Sequence, residues 1–249
     1  MTRITVTRPP LLNSRIARDN LLPNGIDSQP ERSELDSVFS AIDKLRDIWD
    51  GLSAVRSANN PLKTPQAQAL EYKVAFEKAA KVATGEVRRA ADALMSAREK
   101  AQHDALGRAG LKATFTNKAA LQGVLRTMSK AKRDETLMTA IASGDHEVMA
   151  AIHDAHPLLI GDTTVPLATL IQQFVEQQAP DEAAKVSKIN AALEHLELTY
   201  QQFSRSADKL RDKQAEVDGE AGSRAAKEAE AKLGLALQDT APLALEPTT

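Results

Sequence analysis

An apolar seven-residue repeat near the carboxyl-terminal end of the chain constrains the fold more strongly than any other sequence feature. Between residues 186 and 217, two rows of positions recur every seven residues. One row holds Val186, Leu193, Tyr200, Ala207 and Gln214, and the other holds Ile189, Leu196, Phe203, Leu210 and Val217. Because a 3.5-residue repeat keeps one stripe of a helix facing a neighbouring helix, the pattern predicts a long coiled-coil helix.

The repeat leaves open where the partner helix comes from. One alternative is a bundle formed within the chain, and the other is a homo-oligomer in which a second copy supplies the helix. In either case the expected partner-binding residues are the large apolar ones, which we call the seam: Val186, Ile189, Leu193, Leu196, Tyr200, Phe203, Leu210 and Val217.

A long helical hairpin is predicted over residues 31–107. No proline interrupts residues 66–156, and a proline inside a helix would remove a hydrogen bond and clash with the preceding turn. Ser28 and Glu31 have the spacing of a capping box for the first helix. Thr64-Pro65 suits the start of the second, since threonine is a good N-cap and proline fits the first helical position. The short turn between them favours antiparallel packing.

The remaining segments complete an all-α prediction. Thr116 and Asp145 are expected to cap short helices, and the many apolar residues around them indicate a compact core. The predicted parts are an extended arm over 1–30, the hairpin over 31–107, a compact helical subdomain over 111–178, a coiled-coil helix with a weaker extension over 181–237, and a flexible tail over 238–249. The fold class is therefore long coiled-coil-like helices with a small central helical subdomain.

The charge is strongly segregated, although the formal net charge is only -2. Seven basic and no acidic residues lie between Asp104 and Asp134, whereas the stretch from Asp134 to Glu182 holds nine acidic residues and neither lysine nor arginine. The tightest basic group consists of Arg126, Lys130, Lys132 and Arg133. Clustered cations of this kind bind phosphate, so a nucleic-acid-binding helical module that uses residues 108–133 is an alternative function.

A protein partner is favoured over nucleic acid. The neighbouring acidic segment would repel phosphate, and Phe115 is the one aromatic residue near the basic group, whereas single-strand binding uses aromatic platforms. The basic helices are instead expected to pack against acidic ones, within one chain or between subunits. Such complementarity fixes orientation more than it adds affinity.

The sequence offers no catalytic, cofactor or metal motif. It has no cysteine, which excludes disulfides and thiolate sites. His146-Glu147 begins a zinc-protease motif, but the second histidine is replaced by Ala150. His153 and His156 lie at the end of a predicted helix, where histidine also interacts with the helix dipole. No apolar run approaches the roughly 20 residues that span a bilayer. We therefore expect neither catalysis, nor cofactor, nor metal, nor a membrane partner.

Residues 121–161 contain a recognisable pattern. It runs from Val124-Leu125-Arg126-Thr127-Met128 through Ala142-Ser143-Gly144-Asp145 and Glu147-Val148-Met149-Ala150-Ala151-Ile152 to His156-Pro157-Leu158-Leu159-Ile160-Gly161. The segment resembles uncharacterised helical structural and assembly proteins of tailed bacteriophages and prophages. Isoleucine stands at 160 where that pattern has serine, and histidine at 153 and 156 departs from it.

Together these observations predict a non-enzymatic helical structural or assembly protein that acts through protein-protein contacts. The resemblance implies a bacteriophage virion-associated or scaffolding-type component, whose partners are other virion or assembly proteins or further copies of itself. Its expected location is the cytoplasm of the producing cell or the virion.

Overall fold

The computed structural model describes residues 7–21, 32–58, 60–113, 115–153 and 155–238, and every regular element among them is helical. The predicted all-α fold class is confirmed. After a 3-10 turn at Pro10–Leu12, the helices are α1 (Ser14–Leu21), α2 (Arg32–Ser57), α3 (Pro65–Arg108), α4 (Lys118–Thr127), α5 (Lys130–Ser143), α6 (His146–His153), α7 (Pro157–Ile160), α8 (Leu167–Gln178), α9 (Pro180–Lys209) and α10 (Lys213–Gln238).

The chain divides into two compact units. The first comprises the described residues within 1–13, 42–86 and 199–249, and the second those within 14–41 and 87–198. This division differs from the predicted parts, because α2, α3 and α9 each contribute one portion to each unit.

The predicted start of the second long helix is confirmed. The Thr64 hydroxyl oxygen accepts a hydrogen bond from the Ala67 amide at 3.2 Å, and Pro65 is the first residue of α3. Gly85 does not interrupt α3, which continues to Arg108. The capping box proposed at Ser28 and Glu31 lies outside the described residues.

The prediction of an extended arm is wrong for residues 10–21, which form a 3-10 turn and α1. Leu12, Ala17 and Leu21 are buried, so this segment gains packing energy that the local sequence does not show. In the first unit, the Leu11 amide also donates to the Gln202 side-chain oxygen at 3.2 Å. In the second unit, the guanidinium of Arg18 lies 5.1 Å from the centroid of the Phe39 ring.

The predicted continuous helix through residues 186–217 is also wrong. α9 ends at Lys209 and α10 begins at Lys213, although neither glycine nor proline occurs in between. The Asp212 carboxylate accepts a hydrogen bond from the Ala215 amide at 3.1 Å. An aspartate at this position caps a new helix, and that local signal overrides the heptad pattern.

The core of the second unit is built mainly from α4, α5, α6 and α8. Its buried members include Leu125, Leu137, Ile141, Met149, Ile152, Ile160, Leu170 and Phe174. The Asp145 carboxylate caps α6 as predicted, accepting from the amides of Glu147 and Val148 at 3.1 Å each. The proposed cap at Thr116 is wrong, because α4 begins at Lys118, with Asn117 in the N-cap position.

Four large apolar residues of α4, α5 and α7 lie at the surface rather than in this core. Leu158 is 74% exposed, Val124 52%, Met138 51% and Leu159 44%. α7 has only the four residues Pro157–Ile160, so one turn cannot direct all its apolar side chains inward. Ile160 takes the buried position.

Candidate interaction surfaces

Most of the seam is covered by the chain itself. Ile189, Leu196, Phe203 and Leu210 are at most 6% exposed, and Val186, Leu193 and Tyr200 are half-buried. Val217 is 60% exposed, since the break before α10 turns it away from the row. These burials match the alternative in which the repeat packs within the chain. A partner that used the buried residues would first have to displace the existing packing.

In the first unit, hydrogen bonds join the end of α9 to α3. The Tyr72 hydroxyl donates to the Ala207 carbonyl at 3.2 Å, and the hydroxyls of Thr84 and Tyr200 lie 2.7 Å apart. Burial raises the pKa of Tyr72 to about 12. The phenol therefore stays protonated and keeps its donor at every ordinary pH.

An ion-pair cluster fixes the break between α9 and α10. The Arg211 guanidinium binds the Glu216 carboxylate at 3.0 and 2.5 Å and lies 5.0 Å from the centroid of the Phe76 ring. Lys213 contacts Asp208 at 2.7 Å. Hydrogen bonding to Glu216 raises the pKa of Arg211, and hydrogen bonding to Lys213 lowers the pKa of Asp208. The two hydrogen bonds fix the orientation of the guanidinium and also pair its charge with that of Glu216.

α10 contacts α3 at Gly219 and Glu220. At Gly219, an added Cβ atom would lie 3.0 Å from Leu70 and 3.2 Å from the Gln66 carbonyl oxygen, so glycine permits close packing on α3. Glu220 then forms an ion pair with Lys73. Beyond this point every residue from 221 to 233 is exposed. We call residues 221–233 the free half of α10.

Arg133 does not contribute an exposed charge to the predicted basic patch. It is only 5% exposed, and its guanidinium donates to four backbone carbonyl oxygens. These belong to Leu125 at 2.7 Å, Met128 at 2.8 Å, Asp162 at 2.5 Å and Arg126 at 3.3 Å. The last carbonyls of a helix lack partners within the helix, so Arg133 caps α4 from outside. Its charge faces carbonyl dipoles, and no carboxylate is among its hydrogen-bond acceptors.

The loop after α7 is shaped around this arginine. Gly161 has φ +90°, and a Cβ atom there would lie 2.9 Å from the Arg133 Cζ atom. Asp134 accepts from the Thr164 hydroxyl at 2.6 Å and from its amide at 3.1 Å. These hydrogen bonds lower the pKa of Asp134. Asp134, which directly follows the basic group, is therefore held toward Thr164, whereas the next acidic residue, Glu135, is exposed.

The other three members of the basic patch are exposed. Arg126, Lys130 and Lys132 surround the junction between α4 and α5. Within the described residues, no acidic side chain forms an ion pair with any of them. The first turn of α5 also has no acidic residue to offset the positive end of the helix dipole. We call this region the α4–α5 junction.

A groove of about 430 Å³ lies between α3, α8 and α9 in the second unit. Its apolar lining comes from Leu106, Ile171, Val175 and the seam residue Val186. The one charged residue in the lining is Glu176, which accepts a hydrogen bond from Gln172 at 2.9 Å.

The histidines have structural contacts. His156 Nδ1 accepts from the Leu158 amide at 3.3 Å and so caps α7, and the His146 ring lies 5.7 Å from that of Phe115. Across the part of the chain that the structure describes, no three histidine, aspartate or glutamate side chains are arranged to hold a metal ion. No helix in that part is both long and apolar enough to cross a membrane.

Sequence reasoning missed two of these features. Arg133 was grouped with its exposed neighbours, and no sequence signal marks it as a capping residue. The free half of α10 was predicted only as a weaker helical extension, although its alanine, glutamate and lysine content indicates a helix.

Comparisons with known proteins found no match: no family model fits the chain, and no similar curated protein or solved structure was found.

Proposed function

We propose that this chain is a non-enzymatic helical structural or assembly protein that acts through protein-protein contacts. The observation that carries the proposal is the free half of α10. Every residue of this segment, from 221 to 233, is exposed. An isolated helix of this length is marginal in water, because most helical stability in proteins comes from packing. A partner that covers this helix would supply the missing packing.

The burial of the seam supports the same reading. Because Ile189, Leu196, Phe203 and Leu210 are buried within the chain, a partner would contact other surfaces. The resemblance of residues 121–161 then suggests a virion-associated or scaffolding-type component of a tailed bacteriophage. The proposed location is the virion or the cytoplasm of the producing cell.

The experiment compares the complexes formed by the full chain and by a chain that ends at Glu220. Each is tagged at the amino terminus, expressed in cells that make the natural protein, and weighed by mass photometry after purification. We expect the full chain in a stoichiometric complex heavier than its own 26.9 kDa, and the shortened chain outside that complex. If the full chain runs at its own mass, or if both chains enter the same complex equally, the proposal is wrong.

A further inference from the structure

The α4–α5 junction combines unpaired cations with exposed apolar side chains. Arg126, Lys130 and Lys132 form no ion pair within the described residues. Val124 on α4 is 52% exposed, and Leu158 on α7 is 74% exposed. α7 packs against α4, so the two apolar side chains belong to one structural neighbourhood.

The junction is held rigidly, which favours binding by a preformed surface. Arg133 ties the last turn of α4, the first turn of α5 and Asp162 together through its four carbonyl contacts. Gly161 packs against its guanidinium. A partner therefore need not order the junction on binding, which lowers the cost of association.

Two acidic residues next to the junction, the exposed Glu135 and Asp134, offset its four cations only in part. The Asp134 carboxylate is held by the hydroxyl and amide of Thr164. Besides these hydrogen bonds, the charge of Lys130 contributes to lowering the pKa of Asp134. Arg126, Lys130 and Lys132 are exposed next to this hydrogen-bonded segment. Exposed cations in such a place select a negatively charged partner and speed its approach.

We propose that the α4–α5 junction binds an acidic amphipathic helix of a partner protein. The carboxylates of that helix would pair with Arg126, Lys130 and Lys132, and its apolar face would cover Val124 and Leu158. This inference rests on the proposed assembly function and names the class of partner for a second surface, separate from the free half of α10.

A protein segment fits the junction better than nucleic acid does. α4 and α7 also expose the apolar side chains of Val124 and Leu158, which have no role in phosphate binding, and the aromatic ring of Phe115 is packed against His146. Base stacking therefore has no platform at this junction among the described residues.

The test uses the full chain and three fluorescein-labelled probes. The first is an 18-residue helix of glutamate, leucine and alanine with the leucines on one face, and the second is a scrambled peptide of the same composition. The third is a 20-base-pair DNA duplex. Fluorescence anisotropy at 50 mM salt gives each dissociation constant. We expect the amphipathic peptide to bind at least tenfold more tightly than the scrambled peptide, and 500 mM salt to weaken it.

Two triple variants locate the binding surface. The Arg126→Glu, Lys130→Glu, Lys132→Glu chain should bind the amphipathic peptide at least tenfold more weakly. The matched control, Lys78→Glu, Lys81→Glu, Lys100→Glu, makes the same charge change at exposed lysines of α3 and should stay within twofold. Arg133 is left unchanged because it holds the junction together. Circular dichroism checks that both variants remain helical.

A Val124→Ser, Leu158→Ser chain tests the apolar contribution and should bind at least threefold more weakly with the charges intact. Equal binding of the two peptides, equal losses in the two triple variants, or tighter binding of the DNA duplex would each overturn the proposal. The comparison of the full chain with the chain that ends at Glu220 leaves this surface unchanged. The proposed function and the proposed binding at the α4–α5 junction can therefore be refuted separately.

Discussion

Replacing Arg133 by alanine should destabilise the second unit more than any other single change at the junction. The substitution removes four hydrogen bonds between one guanidinium and the carbonyls of Leu125, Arg126, Met128 and Asp162. Hydrogen bonds that involve a charged group contribute about 1.5–3 kcal/mol each. Water can replace part of this at a junction near the surface, so we expect a loss of about 3–5 kcal/mol.

The assay follows amide hydrogen exchange by mass spectrometry in peptides from residues 118–178. A loss of about 3 kcal/mol corresponds to roughly a hundredfold faster exchange wherever the whole unit must open. Lys132→Ala is the matched control, because its side chain is exposed and forms no ion pair within the described residues. It should change stability by less than about 0.5 kcal/mol.

Arg133→Lys separates charge from geometry. Lysine keeps the positive charge but lacks the planar fork that reaches several carbonyls at once. The Arg133→Lys variant should recover less than half of the protection from hydrogen exchange that is lost in Arg133→Ala. The capping role would be refuted if Arg133→Ala exchanged as slowly as Lys132→Ala, or if lysine restored protection fully.

Three further predictions concern individual residues that stabilise the two units. Gly161→Ala should lower the stability of the second unit by about 1–3 kcal/mol, because φ is +90° and the new Cβ would meet the Arg133 guanidinium. Gly123→Ala has open space around the new Cβ and should raise helix stability by up to about 1 kcal/mol. Amide hydrogen exchange should therefore be faster in the first variant and slower in the second. Tyr72→Phe removes the hydrogen bond to α9 and should lower the free energy of unfolding by about 0.5–1.5 kcal/mol, measured by urea unfolding with the fluorescence of the single tryptophan. An unchanged free energy of unfolding would show that this hydrogen bond does not stabilise the unit. Hydrogen bonding lowers the pKa of Asp134 in the folded chain, so the stability that its carboxylate contributes is present above the unfolded pKa and is lost as pH falls through the folded pKa. The free energy of unfolding should therefore fall less below about pH 4 in Asp134→Asn than in the parent chain. The same pH dependence in both chains would contradict this.

Several helix ends could be predicted from the sequence because their signals are local. Thr64-Pro65 starts α3, and Asp145 caps α6 with its own carboxylate. Each case needs only a side chain within three residues of the amide that it binds. The all-α class follows from the same short-range preferences summed over long stretches without proline.

The failures arise where distant contacts decide. α1 forms where Ala17 and Leu21 become buried in the folded chain. Arg133 looks like its neighbours in sequence, yet its acceptors include the Asp162 carbonyl, 29 residues away. These interactions depend on tertiary packing, which local propensity does not encode.

The free half of α10 allows the most direct test of an assembly role. Amide hydrogen exchange over residues 221–233 is measured in the purified chain and in the complex isolated from producing cells. We expect fast exchange in the purified chain, because every residue of this segment is exposed, and at least tenfold slower exchange in the complex. The same fast exchange in both samples would show that no partner covers the helix and would contradict the proposed function.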